Sequence, residues 1–147
     1  MAKEVTLDSS VLVSAFVKGD KLRPMALRVM EKVFLGEYHV TTSAIVPVEV
    51  CGAISRRAGV DKAVSVKRQL DKWEDTNFIG YIELDGKRRR EATEFAVKLQ
   101  LRGMDAIVVQ AAKEKKAILV TFDDEMAEKS KTEVEVLTSK DFEKNSE

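Results

Sequence analysis

The segment Ala117-Ile118-Leu119-Val120-Thr121-Phe122-Asp123 consists of six uncharged residues followed by an acid. A continuous, mainly apolar run of this kind is typical of a strand buried on both faces, as in a parallel sheet covered by helices. Four further β-leaning runs occur, and segments with helical spacing of apolar residues separate them. The predicted strands are residues 4–8, 38–42, 78–84, 117–121 and 134–137. Because strands that alternate with helices form βαβ units, the sequence predicts an α/β fold of three layers, α/β/α, with a central, mainly parallel sheet.

The helical spacing also predicts which apolar side chains face the core. In the helix predicted over 24–35 these are Leu27, Met30, Val33 and Phe34, and in the helix over 61–73 they are Val64, Leu70 and Trp73. Gly103 is expected to break the chain between a helix over 87–101 and one over 105–113. No stretch resembles a linker, and 147 residues suit one domain. Residues 1–143 are therefore predicted to form a single domain and residues 144–147 a frayed tail.

The composition excludes several classes of function. The 25 basic and 25 acidic side chains balance, which excludes a globally basic nucleic-acid binder. A single Cys excludes a disulfide framework and a Cys-rich zinc module, and a single His excludes a His-pair ribonuclease site and a multi-His metal site. There is no apolar run of about 18 residues and no signal-peptide pattern, so we expect a cytoplasmic protein without a membrane partner. Any metal chemistry must therefore use carboxylates.

The balanced charge is unevenly distributed along the chain. Residues 56–102 carry a basic excess of four, and residues 117–147 an acidic excess of five. The basic side chains are densest at Lys87-Arg88-Arg89-Arg90. Two interpretations remain open for these residues, solvated helix faces or a track that binds phosphates of a nucleic-acid backbone.

Four acids occur in segments that otherwise lack charge. Asp8 is the only charged residue from 5 to 17, Glu49 the only one from 38 to 55, and Asp105 the only one from 103 to 112. Asp123 ends the uncharged run from 117 to 122. Such segments tend to be buried, and an unpaired ionised carboxylate is costly to bury. The four acids therefore need a partner or a function.

Each acid also has a purely structural interpretation. Asp8, Asp105 and Asp123 each precede a helical pattern, so each is a candidate N-cap that stabilises its helix by about 0.5–2 kcal/mol. Glu49 lies inside a predicted helix, and its structural alternative is a buried ion pair with Arg56 or Arg57. These alternatives remain open from the sequence.

The predicted topology connects the four acids. Asp8 and Asp123 follow two predicted parallel strands, and ligands of open α/β sheets bind outside the carboxyl ends of the strands. Converging carboxylates repel one another, and a divalent cation removes that repulsion. Ligands that are all oxygen favour Mg²⁺ or Mn²⁺, which can activate water for phosphodiester hydrolysis. The pattern indicates hydrolysis of nucleic acid by phosphoryl transfer.

Four segments resemble the four acidic motifs of PIN-domain proteins, and they occur in the order of that family. They are Val5-Thr6-Leu7-Asp8-Ser9-Ser10-Val11-Leu12, Val46-Pro47-Val48-Glu49-Val50, Leu101-Arg102-Gly103-Met104-Asp105-Ala106-Ile107 and Leu119-Val120-Thr121-Phe122-Asp123. The size and layout are most similar to VapC-type toxins of VapBC toxin–antitoxin pairs. The resemblance implies that residues 1–143 form one PIN-like nuclease domain, an endoribonuclease dependent on Mg²⁺ or Mn²⁺.

The same resemblance implies roles for individual residues and partners. Asp8, Glu49, Asp105 and Asp123 would surround the metal ion and carry the catalysis. Ser10 and Thr121 would support them by hydrogen bonding. Asp124 is the second candidate for the fourth acid, because it directly follows Asp123. The implied partners are RNA as substrate, a second copy of the chain in a homodimer, and a cognate antitoxin.

Three alternatives remain beside the toxin. The first is an RNA-processing nuclease without an antitoxin, and the second is a PIN-like RNA-binding or scaffold protein with little catalysis. The third is a signalling domain that is phosphorylated on an Asp. The signalling domain requires an acidic pair near the first strand, whereas only Asp8 is present there.

Overall fold

Five parallel strands form the central sheet of the computed structural model, which describes residues 1–144. The strands are β1 (Lys3–Leu7), β2 (Tyr38–Ser43), β3 (Ile79–Ile82), β4 (Ile118–Val120) and β5 (Val136–Leu137). Their order in the sheet is β3-β2-β1-β4-β5. Of the tail predicted over 144–147, residues 145–147 lie outside the described residues.

Seven α-helices flank this sheet and give the three layers that the sequence predicts. They are α1 (Ser9–Phe16), α2 (Arg23–Phe34), α3 (Ile45–Ala58), α4 (Val60–Asp75), α5 (Gly86–Leu99), α6 (Gly103–Glu114) and α7 (Asp124–Ser130) within residues 1–144. A short 3-10 helix, Ser139–Phe142, follows β5. The predicted α/β/α class with a parallel sheet is confirmed. No helix in this part of the chain is long and apolar enough to cross a bilayer.

The sheet reverses its direction of growth beside β1. The chain adds β2 and then β3 on one side of β1, and it returns to place β4 and β5 on the other side. The backbone N–H of Asp8 donates to the carbonyl of Val120 at 3.0 Å, so the carboxyl ends of β1 and β4 are held together. This junction is the switch point of the sheet, the position where open α/β folds form their binding crevice.

Several local predictions were wrong. Leu27 and Phe34 of α2 are 43% and 44% exposed, and Val64 of α4 is 40% exposed. In α4 the predicted Leu70 is buried, and Ala63 and Val66 are buried beside it. A helix turns about 100° per residue, so the small Ala63 takes the inward direction and Val64 points away from it. Phe34 packs edge-on against Phe78, with ring centroids 5.3 Å apart.

The boundaries of other predicted elements also change. Gly103 begins α6 rather than breaking the chain before it. The strand predicted over 78–84 is only four residues long, the one over 134–137 is only two, and the 3-10 helix at 139–142 was not predicted. The predicted order of strands and helices along the chain is nevertheless correct.

Candidate functional site

Asp8 is a buried carboxylate at the switch point of the sheet. It follows β1 directly, begins α1 as its N-cap, and is only 5% exposed. Its Oδ2 accepts hydrogen bonds from Ser10 Oγ at 2.7 Å, Thr121 Oγ1 at 3.0 Å and the Ser10 backbone N–H at 3.4 Å. Within residues 1–144, its Oδ1 accepts no hydrogen bond. One carboxylate oxygen is therefore fixed by the protein and the other is left for a ligand.

Two hydroxyl groups connect Asp8 to the loop after β4. Ser10 Oγ accepts the backbone N–H of Phe122 at 3.0 Å, and Thr121 Oγ1 accepts that of Asp123 at 3.1 Å. Each hydroxyl group thus accepts one backbone hydrogen bond and donates one hydrogen bond to Asp8. The structure places Ser10 and Thr121 where hydrogen bonds orient the first acid, as supporting residues do at metal sites.

Replacing Thr121 by Val should destabilise the protein by about 1–3 kcal/mol, because Asp8 and the Asp123 N–H would each lose a buried partner. Thr121 is fully buried, whereas the hydroxyl of Thr93 is exposed on α5. Thr93→Val is therefore the matched control and should stay within about 0.5 kcal/mol of the wild type. Urea unfolding measures both, and equal stability of Thr121→Val and wild type would contradict the role of this hydroxyl.

Asp123 and Asp105 approach the same place from α7 and α6. Asp123 is the N-cap of α7, and its Oδ1 accepts the backbone N–H groups of Glu125 and Met126 at 3.0 and 3.1 Å. Asp105 is the third residue of α6 and caps no helix. The guanidinium of Arg102 joins the two acids, with Nη2 2.9 Å from Asp123 Oδ2 and Nε 3.4 Å from Asp105 Oδ2.

Glu49 completes the group of acids from α3. Burial raises the pKa of its carboxyl group, and the negative charges of Asp8 and Asp105 raise this pKa further. The pKa of Asp105 is likewise raised by burial, then by the charge of Asp8, and also by that of Asp123. Arg102 contacts both Asp105 and Asp123, and Thr121 connects Asp8 to the backbone N–H of Asp123. We call the four acids the acid cluster (Asp8, Glu49, Asp105 and Asp123).

The structural alternatives for the acids have different outcomes. Asp8 and Asp123 are N-caps, and both are also members of the acid cluster. The alternative for Glu49, an ion pair with Arg56 or Arg57, is wrong, since neither arginine pairs with it and Arg57 instead binds Asp20 at 3.1 Å. Asp124 is the first residue of α7 and is exposed. Of the two candidates for the fourth acid, Asp123 is therefore the one that shares Arg102 with Asp105.

Arg102 was not predicted as a site residue, although it lies within the third quoted motif. Its pKa is raised by the charges of Asp105 and then Asp123. The spacing of three residues between Arg102 and Asp105 is a signal that could have identified it, since residues at this spacing are neighbours on a helix surface. Its link to Asp123, 21 residues away in sequence, carries no such signal.

Within the basic run over residues 87–90, Arg88 is paired with acids. Arg88 binds Glu114 at 2.9 Å and Asp85 at 3.4 Å. The hydrogen bond from Arg88 lowers the pKa of Glu114 to about 2. Lys87 and Arg88 line a cavity of about 490 Å³ together with four carboxylates. The interpretation as a solvated, ion-paired helix face therefore holds for Arg88, whereas Arg89 and Arg90 are exposed.

The acid cluster fits a divalent cation by the chemistry of its donors. All four side chains offer oxygen ligands, which Mg²⁺ and Mn²⁺ prefer. Among residues 1–144, no group of three or more His, Cys, Asp or Glu side chains is arranged to hold a metal ion. The Oδ2 atoms of Asp105 and Asp123 are instead paired with Arg102.

The fold and the site together define the class of α/β proteins with an acidic crevice at the switch point of a parallel sheet. The chain belongs to the PIN domain family, since the family model described as PIN domain matches residues 5–132. The resemblance noted in the four acidic motifs is thereby confirmed. No significant match occurs among curated protein sequences.

Solved structures with similar folds include toxin–antitoxin proteins. VapC20 from Mycobacterium tuberculosis, described as a sarcin-ricin loop cleaving toxin, has a TM-score of 0.69 and 17% identity over 84% of this chain and 93% of its own. VapBC2 from Rickettsia felis, bound to a promoter DNA fragment, has a TM-score of 0.66 and 16% identity over 92% and 98%. DNA-bound VapBC from Salmonella typhimurium has a TM-score of 0.67 and 11% identity over 95% and 99%. At these identities the likeness establishes the fold.

Proposed function

We propose that this protein is an endoribonuclease that depends on Mg²⁺ or Mn²⁺ and acts as the toxin of a toxin–antitoxin pair. The observation that carries the proposal is the acid cluster at the switch point, with Asp8 fixed by two hydroxyl groups. Membership of the PIN domain family supports nuclease chemistry. The description of VapC20 as a toxin that cleaves the sarcin-ricin loop supports RNA as the substrate.

The acid cluster would hold the ion, and each member would contribute differently. Asp8 is the most rigid ligand, because Ser10 and Thr121 fix one of its oxygens. Asp123 uses Oδ1 to cap α7, and its Oδ2 is bound by Arg102. Glu49 and Asp105 have raised pKa values, and a cation would favour their ionised forms. When bound, a divalent cation there supplies Lewis-acid activation of the attacking water and of the phosphate.

The experiment that tests the proposal is an RNA cleavage assay with the purified full chain. Structured RNA should be cut with Mg²⁺ or Mn²⁺, not in excess EDTA, and again after the metal is restored. Undiminished cutting in EDTA would overturn metal dependence. RNA binding without cleavage across metals and substrates would favour the alternative of a non-catalytic PIN-like scaffold.

The proposed partners follow from the family and from the similar structures. VapBC-5 from Mycobacterium tuberculosis is described as a member of the VapBC family of toxin–antitoxin systems, which supports a cognate antitoxin for this chain. We propose a homodimer on the family resemblance alone. A small reading frame immediately upstream, whose product binds this chain and blocks cleavage, supports the pair. The absence of such a frame favours an RNA-processing nuclease without an antitoxin.

A further inference from the structure

Arg102 forms the only ion pairs that the acid cluster makes within residues 1–144. Its guanidinium lies 2.9 Å from Oδ2 of Asp123 and 3.4 Å from Oδ2 of Asp105. Asp8 and Glu49 have no basic partner in this part of the chain. One positive charge is therefore shared between two acids of a cluster that contains four.

The guanidinium of Arg102 can move away from Asp105 and Asp123 at a small cost in free energy. The residue is at the N-cap position of α6, where its side chain makes no capping hydrogen bond, and the side chain is 71% exposed. Exposed ion pairs contribute only about 0–1 kcal/mol each, so moving the guanidinium into solvent costs little. Asp8 differs, because its buried carboxylate is fixed by three hydrogen bonds.

The oxygens that Arg102 binds are those that a metal ion would need. Asp123 already uses Oδ1 for the N–H groups of Glu125 and Met126, so Oδ2 is its oxygen that accepts no backbone hydrogen bond. Arg102 occupies this Oδ2 and also Oδ2 of Asp105. A cation that binds both acids through these atoms competes with the guanidinium, because two positive charges only a few ångströms apart repel each other.

We propose that Arg102 is a positioning residue that holds Asp105 and Asp123 together before metal binding and competes with the divalent cation for their oxygens. This inference rests on the proposed function, which requires a divalent cation in the acid cluster. Arg102 acts through these two acids, and its effect is on how tightly the ion binds.

The test is a titration of the full chain with Mn²⁺, with free Mn²⁺ measured by electron paramagnetic resonance. Arg102→Gln should bind Mn²⁺ about tenfold more tightly than the wild type, which corresponds to about 1.4 kcal/mol. Arg102→Lys keeps the charge but lacks the planar fork that bridges two carboxylates, so its affinity should lie between the two. Arg90→Gln is the matched control, since Arg90 is exposed and pairs with no described acid, and its affinity should stay within about twofold.

Each other outcome has a defined meaning. Equal affinity of Arg102→Gln and wild type, or weaker binding by Arg102→Gln, would overturn the competition while leaving the metal site and the proposed function intact. Equally tight binding by Arg102→Gln and Arg90→Gln would also overturn the competition, because net charge alone would then explain the effect. Wild-type affinity of Arg102→Lys would overturn the role of the planar fork in holding the two acids together. If neither the wild type nor any of these Arg102 variants bound Mn²⁺, both this inference and the proposed function would fail. Asp8→Asn serves as the site reference, and its loss of Mn²⁺ binding assigns the measured ion to the acid cluster.

Discussion

Replacing Asp8 by Asn is expected to reduce metal-dependent RNA cleavage by about 100-fold or more. Asn keeps the size and the hydrogen-bond acceptor that Ser10 and Thr121 need, but it removes the negative charge that binds the ion. A metal ion contributes several kcal/mol to stabilising the charge of the transition state, and each 1.36 kcal/mol corresponds to about a tenfold rate. Initial rates on one labelled RNA, with equal protein and saturating Mg²⁺, measure the effect.

The matched control for this experiment is Asp124→Asn. Asp124 is an acid of the same type, adjacent to the acid cluster in sequence but exposed at the start of α7. Its replacement should leave the rate within about twofold, because exposed charges are screened by water and salt. A large loss in Asp124→Asn would make it the fourth acid in place of Asp123. Undiminished cleavage by Asp8→Asn would remove the proposed function.

The second large effect is expected in the sheet, where Leu119→Ala should lower the free energy of unfolding by about 2–5 kcal/mol. Leu119 is fully buried at the middle of β4, which pairs with β1 on one side and β5 on the other. The substitution removes apolar contacts and leaves a cavity that a sheet covered by helices closes only in part. Urea unfolding followed by far-ultraviolet circular dichroism gives the difference.

Leu35→Ala is the control for the loss of a leucine side chain. Leu35 follows α2 and is 67% exposed, so its truncation should change the free energy of unfolding by about 0.5 kcal/mol or less. Similar losses in Leu119→Ala and Leu35→Ala would contradict the burial of β4 in the centre of the fold.

The sequence predicted correctly those features that depend on burial and on the order of strands along the chain. The uncharged run before Asp123 predicted a strand buried on both faces, and Leu119 and Val120 are indeed fully buried. Isolation from other charges identified Asp8 and Glu49 as unusual acids, because a charge in a buried segment needs a compensating environment. Parallel strands have their carboxyl ends at one edge, so the approach of Asp8 to Asp123 followed from the topology.

The sequence did not predict the side-chain contacts that depend on how the helices are oriented. The contact between Arg88 and Glu114 joins residues 26 positions apart and depends on how α5 packs against α6. The position of Arg102 depends on the turn between these helices, where Gln100 adopts a left-handed conformation with φ of 55°. A residue other than Gly is uncommon in that conformation, so no local pattern predicts it.

The N-cap interpretation and the metal-site interpretation were set against each other, and the structure shows why they are compatible. Asp123 uses one carboxylate oxygen for α7 and the other for Arg102. Asp8 caps α1 through the same oxygen that Ser10 and Thr121 bind, and its other oxygen is left open. A carboxylate has two oxygens, and residue type and spacing alone do not show how they are divided.

The hydrogen bond between Thr121 and Asp8 joins residues 113 positions apart, and this distance has a consequence during synthesis. A ribosome adds about 5–20 residues per second, so Asp8 is made roughly 6 to 23 seconds before its partner exists. During that interval neither the partner hydroxyl nor β4 is available to complete the crevice. A nascent chain therefore carries an incomplete acid cluster until its last third has emerged, so the site is assembled late in synthesis.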